Sequence, residues 1–493
     1  MRDDGTATAS EHQAEHKAGT RFLLALAGYF LLQVVLRASS PAVLKLDEAE
    51  AVLAFQHLRL GYGSQPPLYF WLQWPLFSLF GVNLLVLSVQ KNLLLFGTYL
   101  GVFCAARPLV GVHGAITAAA SLVLLPPIGW EAQLDQTHSV LATCMAALAL
   151  WCYVGLLKHG GVLRYALFGL LIGLGLQSKY NFAVFALALM AGSLVVPEHR
   201  RAVWNRKAWI ALAVLMLSLA PHGLWLVDHL ELATRATRAK MLGDAAGHAG
   251  NVARGVSRLA GAIFLFATPL WIVYGWIGWR HREGARLRLD QPHARFFLWF
   301  FVAPFACIAA LVLAGALASM KPRWLQPVLF PLPLAFLAIF PALARRAVCR
   351  SVLWVAAAFA IVIPAGLSAR AYLGEDTRAP FAELSAQLMQ RFPQAQALVA
   401  DRLTDAGNLY LHNPAWRVFH LPEVVRARPV IRGDVLLIHA GEDPGRTSAG
   451  LQAFLHAYRS GVLRRRGRFE VGKRQDSQGA IRVEYALVSV KEE

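Results

Sequence analysis

Eleven apolar stretches recur through the first 370 residues, near 22–37, 83–105, 112–130, 139–157, 165–178, 181–197, 208–227, 258–279, 296–318, 324–343 and 351–369. Most approach 20 residues, the length of helix that crosses a hydrocarbon core of about 30 Å. Inside lipid every backbone N–H and C=O must be satisfied within the segment, so such runs fold as helices. Only 16% of the chain is charged, against about a quarter in a soluble domain. These features predict a polytopic, all-α membrane bundle of about eleven spans. The first run, Phe22 to Leu36, has no small-residue cleavage site after it and is expected to stay as a span.

The formal net charge of +19 does not call for nucleic acid. Lys and Arg collect in cytoplasmic loops and face anionic headgroups. With residues 1–20 as a cytoplasmic tail, the inside loops hold Arg107, Lys158 with Arg164, Arg200-Arg201 with Arg206-Lys207, the Arg280 to Arg295 run, and Arg345-Arg346 with Arg350. The five cysteines have neither disulfide nor metal spacing and read as small buried hydrophobes. From about residue 371 the pattern changes. Short strand-like runs (Leu398 to Ala400, Val435 to Ile438, Ala486 to Val490) and a helix-like Ala382 to Arg391 predict a soluble α/β domain over 371–493. The odd number of spans puts it outside, in the periplasm of a bacterial inner-membrane protein. Residues 21–370 then form the membrane domain.

Between the first two long runs lies LKLDEAEAVLAFQHLRLGYGSQPPLYFW. Two adjacent carboxylates, Asp47 and Glu48, open a short amphipathic helix. Ala51, Val52, Phe55 and Leu58 form its apolar stripe, and Asp47, Glu50 and His57 lie opposite. Gly61-Tyr62-Gly63 and Pro66-Pro67 end it. The stripe predicts a helix lying on the membrane surface. Asp47 suits an N-cap; a carboxylate held at that depth also suits a general base.

Other polar groups interrupt apolar surroundings. Glu131, Asp135 and His138 lie in WEAQLDQTHSV; helix capping explains them, as does a second acidic wall. The i,i+3 spacing of Asp135 and His138 predicts one helical face, compatible with a divalent cation. Lys179 sits between two apolar runs, where it snorkels or binds an anion. Lys321 and Arg323 stand beside Pro322 and Trp324, either as an interface anchor or as a phosphate clamp. Tyr62 and Tyr69 flank the Ser-Gln-Pro-Pro turn and suit a sugar face or simple packing. The basic segment 228–257 reads as a connecting loop, a lid over a cavity or a disordered link.

Three blocks in this order, LDEAEAVLAFQHLRLGYGSQPPLYFWL, GLGLQSKYNFAVF and KPRWLQPVLFPLPL, resemble the glycosyltransferase family 39 group of GT-C enzymes. That group includes protein O-mannosyltransferases, lipid A aminoarabinose transferases and rhizobial lipopolysaccharide galacturonosyltransferases. The first block is most similar to the last subgroup, and the resemblance covers roughly residues 20–370. It implies an inverting transferase at the outer membrane face, moving a sugar from a polyprenyl phosphate to a glycolipid or protein acceptor. It also implies Asp47 as catalytic base with Glu48 beside it, and Lys179 and Arg323 at the donor phosphate; Lys321, beside Arg323, joins them on the reading of the residues alone. Tyr62, Gln65, Tyr69, Glu131, Asp135 and His138 fall around acceptor or sugar. Gln65 departs from the Lys or His that relatives carry before the Pro-Pro pair, so this turn loses a charge. No cofactor is implied with certainty. The competing class is a transporter or flippase of a lipid-linked sugar. Transporters place charges near the midplane within related halves, and no halves are visible here.

Overall fold

The computed structural model describes residues 4–41, 43–242, 247–280, 287–374, 379–441, 446–472 and 481–491. Most of the cytoplasmic-tail expectation falls within the first helix. Residues 1–3 of that tail, and 281–286 of the basic run 280–295, lie outside the described residues. The helices in chain order are α1 (Asp4–Ala38), α2 (Leu46–Ala54), α3 (Leu68–Phe80), α4 (Leu84–Ala120), α5 (Pro126–Gly129), α6 (Glu131–Leu134), α7 (His138–Lys158), α8 (Val162–Ser178), α9 (Phe182–Val195), α10 (Pro197–Val203), α11 (Ala208–Leu242), α12 (Gly247–Phe266), α13 (Thr268–Arg280) and α14 (Pro292–Leu313). There follow α15 (Gln326–Leu329), α16 (Leu332–Ile339), α17 (Arg346–Leu373), α18 (Phe381–Arg391), α19 (Leu403–His412), α20 (Leu421–Ala427) and α21 (Arg446–Ala457). The strands are β1 (Ala397–Ala400), β2 (Arg417–His420), β3 (Gly433–Ala440), β4 (Gly461–Val471) and β5 (Ile481–Val490).

Among the described residues, six helices are long and apolar enough to cross a membrane, or eight if each of two bent pairs is one span. The sequence offered eleven segments, and the difference has local causes. Runs 83–105 and 112–130 share α4, which breaks at Gly111, where φ is 72° and only glycine is comfortable. The run 181–197 bends by 110° where Pro197 opens α10, and 258–279 bends by 68° between α12 and α13. The basic stretch 228–257, expected as a loop, is helical on both sides: α11 continues to Leu242 and α12 begins at Gly247. Residues 243–246 of it lie outside the described residues.

The chain divides into two compact units. The first comprises Met1–Val35, Arg59–Tyr69 and Val89–Pro364. Its tightest crossing is between α8 and α11: a Cβ on Gly169 or Gly173 would collide with Ala211 or Ser218. This small-xxx-small pair lets the backbones approach as they do in lipid.

The second unit comprises Leu36–Leu58, Phe70–Ser88 and Ala365–Glu493. It holds one five-stranded sheet of order β2-β1-β3-β5-β4. β1 runs parallel to both β2 and β3, and β5 pairs antiparallel with β3 and β4. Alternation along the strands builds two cores. Leu398, Ala400, Leu436, Ile438 and Leu487 face Leu384 and Leu388 of α18 and Ala406 and Leu409 of α19. Val399, Val435, Leu437 and Val488 face Val424 of α20 and Phe454 of α21.

Val52 of the expected apolar stripe belongs to the first of these cores and Phe55 packs against it, whereas Leu58 is exposed. Ala49 and Val52 are fully buried within that core, and α2 lies along α19. A Cβ on Gly407 of α19 would strike Ala49, which is why the helices can approach so closely. The surface-lying helix expected from the sequence is therefore a helix covered by the sheet-bearing unit. Periodicity shows that one face is apolar, not what covers it. α2 is also shorter than expected, ending at Ala54 with Phe55 as its C-cap. Two side-chain amides fix its ends. Asn408 accepts from the Leu44 amide at 2.9 Å and donates to the Leu44 carbonyl at 3.2 Å. Gln56 does the same to Val418 of the edge strand β2, at 3.1 and 2.7 Å. Gln73 of α3 donates to the Ala51 carbonyl at 3.0 Å, satisfying one of the acceptors a helix leaves open at its end.

Candidate active site

Asp47 and Glu48 occupy the first turn of α2, where the exposed amides of the helix favour negative charge. Their environments differ. Glu48 is 2% exposed; its Oε2 accepts from Arg37 Nη2 at 2.7 Å and from the Lys45 amide at 3.4 Å. Glu48, expected beside Asp47 in catalysis, forms a buried ion pair that closes the N-terminus of α2. Asp47 is half-buried. Arg37, in the last turn of α1, was not singled out from the sequence.

The cationic candidates lie in the first unit. Lys179 follows α8 at a point where the backbone becomes extended (φ −166°, ψ 135°), leaving the helical ladder before α9. Its ammonium donates to Ser139 Oγ. One residue back, His138 Nδ1 donates to the Ser178 carbonyl at 3.1 Å, and the His138 ring lies 5.4 Å from that of the fully buried Tyr69. Gln90 donates to the Tyr69 carbonyl at 3.3 Å, and Gln133 to Asn92 Oδ1 at 2.8 Å. Between those two, Lys91 is 3% exposed. Gln90-Lys91-Asn92 carries a sequence signal of its own, since three consecutive polar residues inside an apolar helix are costly without a purpose.

The second acidic segment sits in the same unit. Burial raises the Glu131 carboxyl above its ordinary value, and the charge of Arg323 and a 3.2 Å hydrogen bond from Gln136 pull it part of the way back. Arg323 lies in a 3₁₀ turn, Pro322–Trp324, fastened by Asn181 to the Trp324 carbonyl at 2.6 Å and by Gln326 to the Pro127 carbonyl at 2.8 Å. Lys179, His138, Glu131 and Arg323 thus stand on segments tied to one another by side-chain hydrogen bonds. Lys321 stands exposed at the start of that turn.

The expected common face of Asp135 and His138 does not form. Asp135 caps α6 with non-helical angles (φ −146°, ψ −46°), and α7 begins only at His138. Among the described residues no group of three or more His, Cys, Asp or Glu side chains is placed to hold a metal ion. Tyr62 and Gln65 exchange two backbone hydrogen bonds of 3.2 Å around Gly63, whose φ of 62° makes the turn possible. The Tyr62 hydroxyl accepts from the Arg59 amide at 2.9 Å. His222 Nδ1 donates to the Leu60 carbonyl at 2.8 Å.

Comparison with known proteins places this arrangement. Over 424 residues the chain is 35% identical to the lipopolysaccharide core galacturonosyltransferase RgtB of Rhizobium johnstonii, covering 82% of this chain and 85% of that protein. It belongs to this family of GT-C glycosyltransferases. The lipopolysaccharide core galacturonosyltransferase RgtA of the same organism is 33% identical, over 64% of this chain and 63% of its own length. Residues 64–225 of the glycosyltransferase match the family described as dolichyl-phosphate-mannose-protein mannosyltransferase. Its fold is that of ArnT from Cupriavidus metallidurans, solved with undecaprenyl phosphate (TM-score 0.63, 14% identity, 94% of this chain and 97% of that one) and in the apo state (TM-score 0.61). The glycosyltransferase is therefore a membrane protein of ArnT-like architecture, mostly helical with a small C-terminal sheet.

Proposed function

We propose that the chain transfers a sugar of the uronic acid class from a polyprenyl phosphate to the core or lipid A of lipopolysaccharide, at the outer face of a bacterial inner membrane. The acceptor class is taken from the relatives, whose names carry lipopolysaccharide core and, for a third protein at 28% identity, lipid A. The observation that carries the assignment of roles is the division between the two adjacent carboxylates. Glu48 is bound to Arg37, while Asp47 is half-buried in the same helical turn.

In this reading Asp47 takes the proton of the acceptor hydroxyl as that oxygen attacks the anomeric carbon. The bond to the lipid phosphate breaks on the opposite face, so the configuration inverts. Lys179, Arg323 and Lys91 stabilise the negative charge that builds on the leaving phosphate, in surroundings of low dielectric where each is worth more than in water. Glu48 positions Asp47 through the start of α2. Glu131 and Gln136 hold the Arg323 side of the site.

The test is transfer by the purified chain in proteoliposomes, with undecaprenyl-phosphate-linked galacturonic acid as donor and lipopolysaccharide as acceptor, read by mass spectrometry. A uronate increment on the acceptor, lost in Asp47→Asn, is the expected result. Donor movement across the bilayer with no transfer would replace the enzyme by a flippase.

A further inference from the structure

A cavity of about 750 Å³ opens between α8, α9 and α11, in the half of these helices that lies away from Lys179. It follows from how the three helices part. α8 and α11 are drawn together at Gly169 and Gly173, while the chain leaves α9 by a 110° bend into α10 before it returns to α11. The space left over is walled by Phe168 and Ile172 of α8, Leu189 and Met190 of α9, and Leu212 and Leu215 of α11. A volume of this order holds a bound molecule, and walls so apolar select hydrocarbon. From Ala208, at the start of α11, to Leu215 the wall runs about 10 Å at 1.5 Å per residue, within one leaflet of a core about 30 Å thick.

One end of the cavity is polar and firmly built. The buried Tyr165 hydroxyl donates to the Ala202 carbonyl at 2.9 Å and accepts from Asn205 Nδ2 at 2.7 Å, which fixes the turn between α10 and α11. Trp204 Nε1 donates to Ser193 Oγ at 2.9 Å. Trp209 lies against the same end and is 71% exposed, as a tryptophan at a lipid interface is. Arg206 lines this mouth, and among the described residues no hydrogen bond or ion pair occupies its guanidinium. Lys207 follows it, and Arg200 and Arg201 stand in the last turn of α10. The acid of that helix, Glu198, is already paired with Arg295 at 2.8 Å. These cations belong to the loops expected on the cytoplasmic side.

We propose that this cavity binds an anionic phospholipid of the cytoplasmic leaflet. One acyl chain fills the space between α9 and α11, and the phosphate sits at Arg206 with Lys207 beside it. Basic residues at the cytoplasmic ends of spanning helices hold such headgroups, and a zwitterionic lipid would bring its own cation to the cluster. Lys179 stands seven residues beyond Ile172 at the opposite end of α8, so the site is separate from the transfer chemistry and independent of the transferase reading.

The experiment titrates the full chain, in non-ionic detergent micelles, with dioleoyl phosphatidylglycerol and separately with dioleoyl phosphatidylcholine. Native mass spectrometry counts the lipids retained, and thermal unfolding follows their effect. One phosphatidylglycerol per chain should be held more tightly than phosphatidylcholine and should raise Tm. Arg206 is exposed, so Arg206→Gln keeps the fold; it should weaken phosphatidylglycerol about fivefold and leave phosphatidylcholine unchanged. Leu212→Trp fills the cavity from a position that is 45% exposed, and should weaken both lipids about tenfold or more. Equal affinity for the two lipids, or phosphatidylglycerol binding indifferent to both substitutions, overturns the site and leaves ordinary boundary lipid. Displacement of phosphatidylglycerol by an equal concentration of undecaprenyl phosphate overturns the phospholipid as occupant and gives the cavity to a polyprenyl tail.

Discussion

Asn408 and Leu44, 364 positions apart, exchange two hydrogen bonds as neighbouring strands would, with the amide of Asn408 standing in for a backbone. The pair sets where the chain enters α2, and so where Asp47 is presented. Asn408→Ala removes both bonds and leaves two buried groups of Leu44 unmade, a loss of about 2 kcal/mol. The expected outcome is a lower Tm and faster hydrogen exchange at the Leu44 amide. Unchanged exchange at that amide would show that the clamp does not hold the segment.

Asp47 and Glu48 should separate cleanly when neutralised one at a time. Asp47→Asn is expected to abolish transfer while the melting curve stays within about 0.5 kcal/mol of wild type. Glu48→Gln leaves Arg37 facing a neutral amide in a site nearly closed to water, and should cost about 3 kcal/mol of stability. Residual activity per folded molecule should then survive in Glu48→Gln. A stable, inactive Glu48→Gln would restore it to the chemistry.

The sequence disclosed the bundle, the mixed tail and the acidic start of α2, because each rests on local chemistry: run length, alternation, helix-end charge. It placed β1, β3 and β5 through their Val, Leu and Ile runs. β4 escaped because four of its eleven residues are arginine, which suits an exposed edge strand guarded against pairing but carries no apolar alternation. The partner of α2 was illegible for another reason. The stripe Ala51, Val52, Phe55 and Leu58 fits lipid or protein equally, and only the glycine at 407 marks a helix that must come close. The break at Gly111 and the helical course of 228–242 depend on packing that no window of sequence contains.

Lys179→Ala tests the anionic end of the donor. Its ammonium is held by Ser139 Oγ at the break between α8 and α9, so its removal takes away charge without opening an apolar core. Donor KM should rise by about tenfold or more, with acceptor KM nearly constant, and Lys179→Arg should recover part of the loss. A rise confined to acceptor KM would move Lys179 to the other substrate.

Asp405, in the first turn of α19, makes the stability of the second unit depend on pH. Burial lifts its carboxyl from 3.8 to about 7, and Asp401 adds to the lift while Arg402 and Thr404 oppose it. The folded value lies above the unfolded one, so the folded state binds the proton more tightly. Stability is full below pH 4 and falls as pH rises through about 7, then levels off; the loss is about 4 kcal/mol. Exposed His412 and half-buried His420 shift the other way, partial desolvation lowering both, and they weaken the fold toward acid. The difference between wild type and Asp405→Asn isolates the carboxyl. That variant should match wild type near pH 3 and melt at higher temperature at pH 8. Parallel melting curves across this range would place the Asp405 carboxyl in water rather than in the core of α19.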